Sequence, residues 1–91
     1  MNNVESAAVG DRIAGFLREK FPMARKRNLK PSDKLLESGI LDSLGVLDLV
    51  AFLEQEFGLV VADEELLPDN FQTIDKLVAF VQNKHKENPG Q

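Results

Sequence analysis

The chain has 91 residues, no cysteine and a formal net charge of −4. This length suffices for one small domain with a single apolar core, and it leaves little material for a deep catalytic cleft. The missing cysteines exclude disulfides, thiolate zinc sites and a cysteine nucleophile, and the acidic balance argues against nucleic acid as a partner.

The amino-terminal residues and the lengths of the apolar segments bear on the cellular location of the protein. Residues 1–12 lack the basic start and the apolar run of a signal peptide. No stretch approaches the roughly 18 apolar residues that a membrane span needs. We therefore expect a cytoplasmic protein without a membrane span.

Apolar spacing predicts a first helix that ends at or just before Pro22. Residues 22–42 follow without a steady period and contain several turn-forming residues. A loop of about 20 residues in a compact domain is usually functional or disordered. Because this loop contains five large apolar residues, we expect it to lie against the core. The apolar face of the helix comprises Val9, Ile13, Phe16, Leu17 and Phe21, and the loop contains Leu29, Leu35, Leu36, Ile40 and Leu41.

A second helix is predicted to begin near Ser43. Asp42 can cap its start through a carboxylate that accepts from backbone N–H groups, and Gly58 can cap its end. Acidic and polar residues fill much of the remaining surface of the helix. Its apolar positions recur at helical spacing and comprise Leu44, Leu47, Val50, Ala51, Leu53 and Phe57.

A short helix and a final helix complete the pattern. Residues 63–65 place three acids in the first turn of the short helix, which Pro68 ends. Thr73 can cap the final helix, whose apolar stripe comprises Ile74, Leu77, Val78 and Val81. No segment alternates with a period of two, so the predicted class is all-α. We expect one domain over residues 1–85 and a flexible polar tail over residues 86–91.

The residue inventory gives little support to catalysis. His85 is the single histidine, and its position at the polar end of the last helix indicates a solvated side chain rather than a catalytic base. Asp48 and Glu54 are expected to face solvent rather than a cleft. Residues 63–70 lack the alternating ligands and central glycine of a calcium loop. We therefore predict no catalytic residue and no metal site.

The remaining candidate is the segment Leu-Glu-Ser-Gly-Ile-Leu-Asp-Ser-Leu-Gly, residues 36–45. It places Ser43 at the start of an amphipathic helix, directly after a long loop. Taken alone, Asp-Ser-Leu is a three-residue match that an ordinary helix cap would also produce. Its surroundings add weight, because the stretch from Asp42 to Glu65 holds seven acids and no Lys or Arg. A basic cluster precedes it, made of Arg25, Lys26, Arg27 and Lys30.

This order of elements resembles the acyl and peptidyl carrier proteins over residues 9–84. The most specific part is residues 39–44, followed by residues 48–50 and 53–58. The resemblance implies a four-helix bundle and a 4′-phosphopantetheine arm, transferred from coenzyme A to the serine of the motif, here Ser43. A helix N-terminus suits the phosphodiester of such an arm, because its unpaired N–H groups and dipole favour an anion.

The same resemblance implies a free-standing, monomeric carrier that presents a thioester-bound cargo to partner enzymes. A phosphopantetheinyl transferase would modify Ser43, and an adenylating ligase or an acyltransferase would load the cargo. Asp42 is expected to help the transferase recognise the serine. Leu44, half core and half contact surface, is expected to contact partners together with Asp48 and Glu54. The alternatives are a helical interaction module, in which Ser43 is only a cap, and a small hydrolase that uses Ser43.

Two departures from the family pattern bear on the cargo. Gly45 stands where carriers of fatty-acid synthesis commonly have an acid, and the basic cluster differs from their acidic surfaces. The run Gly-Ile-Leu-Asp-Ser is more similar to D-alanyl carrier proteins and peptidyl carrier domains. These features favour an aminoacyl or specialised acyl cargo.

Overall fold

The computed structural model describes the backbone of residues 6–87 and the side chains of residues 7–85. This part of the chain contains no strand, which confirms the predicted all-α class. None of its helices is both long enough and apolar enough to cross a membrane. The α-helices are α1 (Ser6–Lys20), α2 (Pro22–Lys26), α3 (Ser43–Phe57) and α4 (Ile74–Glu87), and two 3₁₀ turns, Asp63–Glu65 and Pro68–Phe71, connect α3 to α4.

The core is apolar and lies where α1, α3 and α4 meet. Helix α1 contacts each of the other three α-helices, and among the described residues no polar or charged side chain is fully buried. The predicted stripes of α1 and α4 are confirmed. Their buried members are Val9, Ile13 and Leu17 on α1, and Ile74, Leu77, Val78 and Val81 on α4.

The buried face of α3 differs from the predicted one in the first half of the helix. Leu44 is 75% exposed and Leu47 is 57% exposed, so the expectation that Leu44 is half core is wrong. The helix instead buries residues spaced four apart: Gly45, Leu49, Leu53 and Phe57. Leu53 and Phe57 are buried as predicted. Apolar residues line both sides of the first turns, where a glycine occupies the core position, so spacing selected the wrong residues there. The end of the helix is as predicted, with Gly58 in the left-handed conformation (φ 64°) as C-cap.

The segment between α1 and α3 packs against the core, as predicted. Leu29, Leu35, Ile40 and Leu41 are buried, and Leu36 packs at the edge. Two backbone hydrogen bonds tie this segment to the start of α4. The Leu35 N–H donates to the Gln72 carbonyl at 2.8 Å, and the Asp75 N–H donates to the Pro31 carbonyl at 3.2 Å.

Helix α2 lies within the segment that was predicted to be a loop. Pro22 occupies its first turn, where the missing N–H of proline costs no hydrogen bond. Helix α1 thus ends just before Pro22, as predicted, and Pro22 begins α2. Ala24 is the buried residue of this helix, and one buried position in five residues leaves no period to detect.

Pro68 likewise begins a turn, and the prediction that it ends the short helix is wrong. The first 3₁₀ turn ends at its cap Leu66, and Pro68 starts the second. The Thr73 cap is confirmed, because its Oγ1 accepts from the Lys76 N–H at 3.1 Å. Helix α4 continues to Glu87. Residues 88–91 of the predicted tail lie outside the described residues, and the domain boundary at residue 85 stays a prediction.

Glu65 joins the first 3₁₀ turn to α4. Its Oε1 accepts from the Ala62 N–H and from Lys84 Nζ, each at 2.9 Å. Its carbonyl accepts from Asn70 Nδ2 at 2.8 Å. The Ala62 N–H and, next, the Lys84 ammonium hold the pKa of Glu65 below its ordinary value. One partly buried carboxylate thus fixes the connection between α3 and α4 to the end of the bundle.

We expect Glu65→Gln to lower the free energy of unfolding at pH 7 by about 1 kcal/mol, because the amide loses the charge-assisted bond to Lys84. The folded-state pKa of Glu65 lies below its ordinary value of 4.5. The stabilisation is therefore present above that pH and is lost as the pH falls through the folded-state pKa. Urea unfolding followed by circular dichroism measures it, since the chain has no Trp or Tyr. The exposed Glu64→Gln in the same turn is the control, and an equal loss there would contradict the assignment.

Candidate functional site

Ser43 occupies the first position of α3 and is exposed. The residue before it, Asp42, has an extended backbone (φ −111°, ψ −177°), and its Oδ1 accepts from the Gly45 N–H at 2.6 Å. The predicted Asp42 cap is therefore confirmed. Within the described residues the Ser43 hydroxyl makes no hydrogen bond, so capping does not account for this serine.

Gly45 lies buried on the inner side of the same first turn. A Cβ on this residue would lie 2.9 Å from Phe21 Cε1, 2.9 Å from Leu41 Cδ1 and 3.1 Å from Asp42 Oδ1. Since Leu41 is fully buried, it cannot move aside without cost. A close contact of Phe21 and Leu41 with the helix therefore explains the glycine at this position, independently of the cargo.

The outer side of α3 beside Ser43 is both apolar and acidic. Leu44 and Leu47 are exposed large apolar residues, and Asp48 is exposed one turn further along, without a hydrogen bond or ion pair among the described residues. Exposed leucines with a free carboxylate form a surface that can contact a partner protein through apolar burial and steer it by charge.

The other two acids of α3 have partners within the chain. Glu54 is half-buried, and its Oε2 accepts from the Val61 N–H at 2.9 Å, so the expectation that it simply faces solvent is wrong. Glu56 forms an ion pair with Arg12 of α1. Two of the three acids of this helix, Glu54 and Glu56, therefore have structural contacts. Asp48 has no such contact among the described residues.

His85 does not complete a catalytic arrangement with Ser43. It lies in the last turns of α4 and is half-buried, with a buried Nε2 that has no hydrogen-bond partner among the described residues. The prediction of a solvated histidine is therefore wrong. No hydrogen bond joins it to Ser43, as a nucleophile and its base would require.

Sequence reasoning missed the residues that shape the first turn of α3. Phe21 was assigned only to the apolar face of α1, and Leu41 only to the core. The sequence signal for their role was the glycine at position 45, three residues after the cap, where a capping helix often has Glu or Gln.

A family model described as "Phosphopantetheine attachment site" matches residues 11–81. The chain belongs to this family. The probable acyl carrier protein PigG of Serratia sp. (strain ATCC 39006) is 34% identical over 80 residues, which cover 88% of this chain and 91% of that protein. The acyl carrier protein of Buchnera aphidicola subsp. Acyrthosiphon pisum (strain 5A) is 29% identical over 85 residues, covering 93% and 96%. D-alanyl carrier protein of Streptococcus pyogenes serotype M1 is 36% identical over 50 residues, covering 55% and 63%.

These comparisons confirm the predicted carrier function and its cofactor. The protein is a carrier that holds acyl groups on a covalently attached 4′-phosphopantetheine, and it interacts with the enzymes that modify it and process its cargo. Its match to two acyl carrier proteins extends over nearly the whole length of each.

The packing around Gly45 leads to a prediction about stability. We expect Gly45→Ala to lower the free energy of unfolding by about 1–3 kcal/mol, because the new methyl group overlaps Phe21 and Leu41. Gly15→Ala is the matched control, since that glycine also lies within a helix and has no neighbouring atom within 4 Å of the added Cβ. It should raise the unfolding free energy by about 0.5–1 kcal/mol. Urea unfolding measures both free energies. If Gly45→Ala stabilised the protein, the side chains of Phe21 and Leu41 would have to move aside at little cost, and the packing explanation would be wrong.

Proposed function

We propose that Ser43 carries the 4′-phosphopantetheine arm, and that the protein acts in trans as a discrete carrier without catalysis of its own. The observation that carries this proposal is the division of roles at the start of α3. Asp42 caps the helix through Gly45, which leaves the exposed Ser43 hydroxyl without a partner. Such a hydroxyl is open to modification by a separate enzyme. Nothing described beside it would activate it as a nucleophile.

The surroundings of Ser43 fit the arm. The N–H groups of the first turn of a helix have no acceptor within the helix, and with the positive end of the dipole they favour the phosphodiester anion. When bound, the arm supplies a terminal thiol that holds the cargo as a thioester. The chain has no cysteine that would compete with this thiol for the cargo. A donor such as coenzyme A and the absence of cysteine both suit the reducing cytoplasm.

The partners are a phosphopantetheinyl transferase, an adenylating ligase or acyltransferase, and the enzymes that use the loaded carrier. Asp42, Leu44 and Asp48 are the residues we assign to partner recognition, because each is exposed on or beside the first turns of α3. Glu54 has the weaker case, since its carboxylate already accepts from the Val61 N–H. The cargo is an acyl or aminoacyl group, as the names of the acyl and D-alanyl carrier relatives support.

Incubation of the purified chain with coenzyme A and a broad-specificity phosphopantetheinyl transferase tests the attachment site. We expect intact-protein mass spectrometry to detect one added phosphopantetheinyl group, and Ser43→Ala to abolish it. Ser32→Ala is the matched control, because Ser32 is an exposed serine of the preceding segment, and it should load normally. Loading of a folded Ser43→Ala protein would show that another residue carries the arm. If the folded wild type is not loaded, the result favours the alternative hypothesis of a helical interaction module.

The acids of α3 should separate into a recognition residue and a structural one. We expect Asp48→Asn to slow loading at low ionic strength by about two- to fivefold and to weaken its salt dependence, with unchanged unfolding. Glu54→Gln should instead lower the free energy of unfolding by about 1 kcal/mol, because the Val61 N–H loses a charged acceptor. Initial loading rates and urea unfolding measure the two effects. Asp11→Asn, an exposed acid on α1, is the control, and an equal loading defect there would refute the role of Asp48.

A further inference from the structure

A second surface beside Ser43 has the opposite charge. Between residues 18 and 34 the chain has seven Lys or Arg and two acids, whereas between residues 42 and 65 it has seven acids and no base. The two signs are thus segregated along the chain rather than mixed. We name the basic part the cationic surface, made of Arg18, Lys20, Arg25, Lys26, Arg27 and Lys30.

The cationic surface has no acidic partner within the described part of the molecule. Each of its six residues is exposed. The ion pairs among the described side chains are Arg12 with Glu56, Lys34 with Glu37, and Lys84 with Glu65. None of them involves the cationic surface. Six neighbouring positive charges repel one another. Glu19 and Asp33 lie in the same stretch and offset part of that repulsion, but no ion pair among the described side chains neutralises any of the six.

These cations are displayed by folded backbone rather than by a free loop. Ala24 and Leu29 are buried and anchor α2 and its end to the core. The Arg25 guanidinium donates to the Arg18 carbonyl at 2.5 Å, which connects α2 to the end of α1. The Leu29 N–H also donates to the Ala24 carbonyl. A fixed arrangement of charges can match a fixed complementary surface with a small loss of conformational entropy.

Phe21 connects the start of α2 to the helical turn that contains Ser43. Phe21, the N-cap of α2, would touch a Cβ on Gly45, and Gly45 lies on the same helical turn as Ser43. An enzyme that covers Ser43 and extends past Phe21 toward α2 would also contact the cationic surface. Such an enzyme would contact both the acidic and apolar side of α3 and the basic α2.

We propose that the cationic surface is a second docking site, which binds an acidic surface of an enzyme that acts on the arm. The inference rests on Ser43 carrying that arm. A long polyanion such as nucleic acid, or an anionic membrane, would be repelled by the acids of α3, whose field extends over the Debye length of about 8 Å. A protein can present acidic groups to α2 and basic groups to α3. The surface therefore selects partners with two adjacent patches of opposite charge.

Titration of the ¹⁵N-labelled holo-protein with tetra-L-glutamate, a short acidic peptide rather than a long polyanion, tests the chemistry. We expect saturable, salt-sensitive shifts of backbone signals centred on residues 18–30. Arg27→Glu should raise the dissociation constant about fivefold or more. Lys76→Glu, at an exposed cation of α4 without an ion pair among the described residues, should change it less than twofold. Equal effects of the two variants, or shifts spread over all lysines, would overturn the proposal.

Two further arms decide between classes of partner. Duplex DNA and phosphatidylglycerol vesicles are titrated at the same salt concentration. If either binds more tightly than the acidic peptide, the partner is a phosphate surface rather than an acidic protein, and the proposal is wrong. Because loading of Ser43 is verified by mass before the titration, a negative result here leaves the attachment site intact.

Carbodiimide cross-linking then tests the partner itself, since this reagent joins lysine amines to carboxylates in direct contact. The holo-protein is treated in a soluble extract of the organism that supplies the sequence. We expect adducts through Lys20, Lys26 or Lys30 to acidic segments of an enzyme that loads or consumes the thioester. Adducts that form equally through Lys76, or that join other classes of protein, would contradict the second docking site.

Discussion

The short hydrogen bond from the Gly45 N–H to the Asp42 carboxylate is the contact on which the site depends. It begins α3 at a defined residue and leaves Ser43 outside the cap. The turn is closely packed on its inner side, because Phe21 and Leu41 lie against Gly45 where a side chain would project. The core thus fixes the inner side of the turn, and the outer side remains available to partners.

The features that sequence reasoning predicted correctly depend on local chemistry. Asp42, Gly58 and Thr73 were assigned as caps because carboxylate, glycine and hydroxyl groups satisfy helix ends within a few residues. The segment before α3 was predicted to pack on the core because it contains too many leucines for a free loop. The carrier family followed from the order of these elements and from the Asp-Ser-Leu motif, and the family match over residues 11–81 agrees.

The features that were missed depend on contacts between distant residues. No local pattern indicates that Glu54 accepts from the Val61 N–H or that Glu56 pairs with Arg12. The buried side of the first turns of α3 was misassigned because Gly45 contributes nothing to an apolar count while it takes the core position. Gly45 itself was interpreted as a clue to the cargo, whereas the structure gives it a packing reason. In each case the information lay in a neighbouring element rather than in the segment itself.

The burial of Gly45 also affects the range over which the carrier can work. The first turn of a helix ordinarily frays in solution, which would let an attached group wander with the loose backbone. Here fraying would break the Asp42 cap and expose Leu41, so the turn opens only together with part of the core. If Ser43 carries the arm, as we propose, the backbone at the attachment point is held in place. The reach of the arm, and the effective concentration of cargo at a docked enzyme, then depend on the length and stiffness of the arm rather than on motion of the helix end.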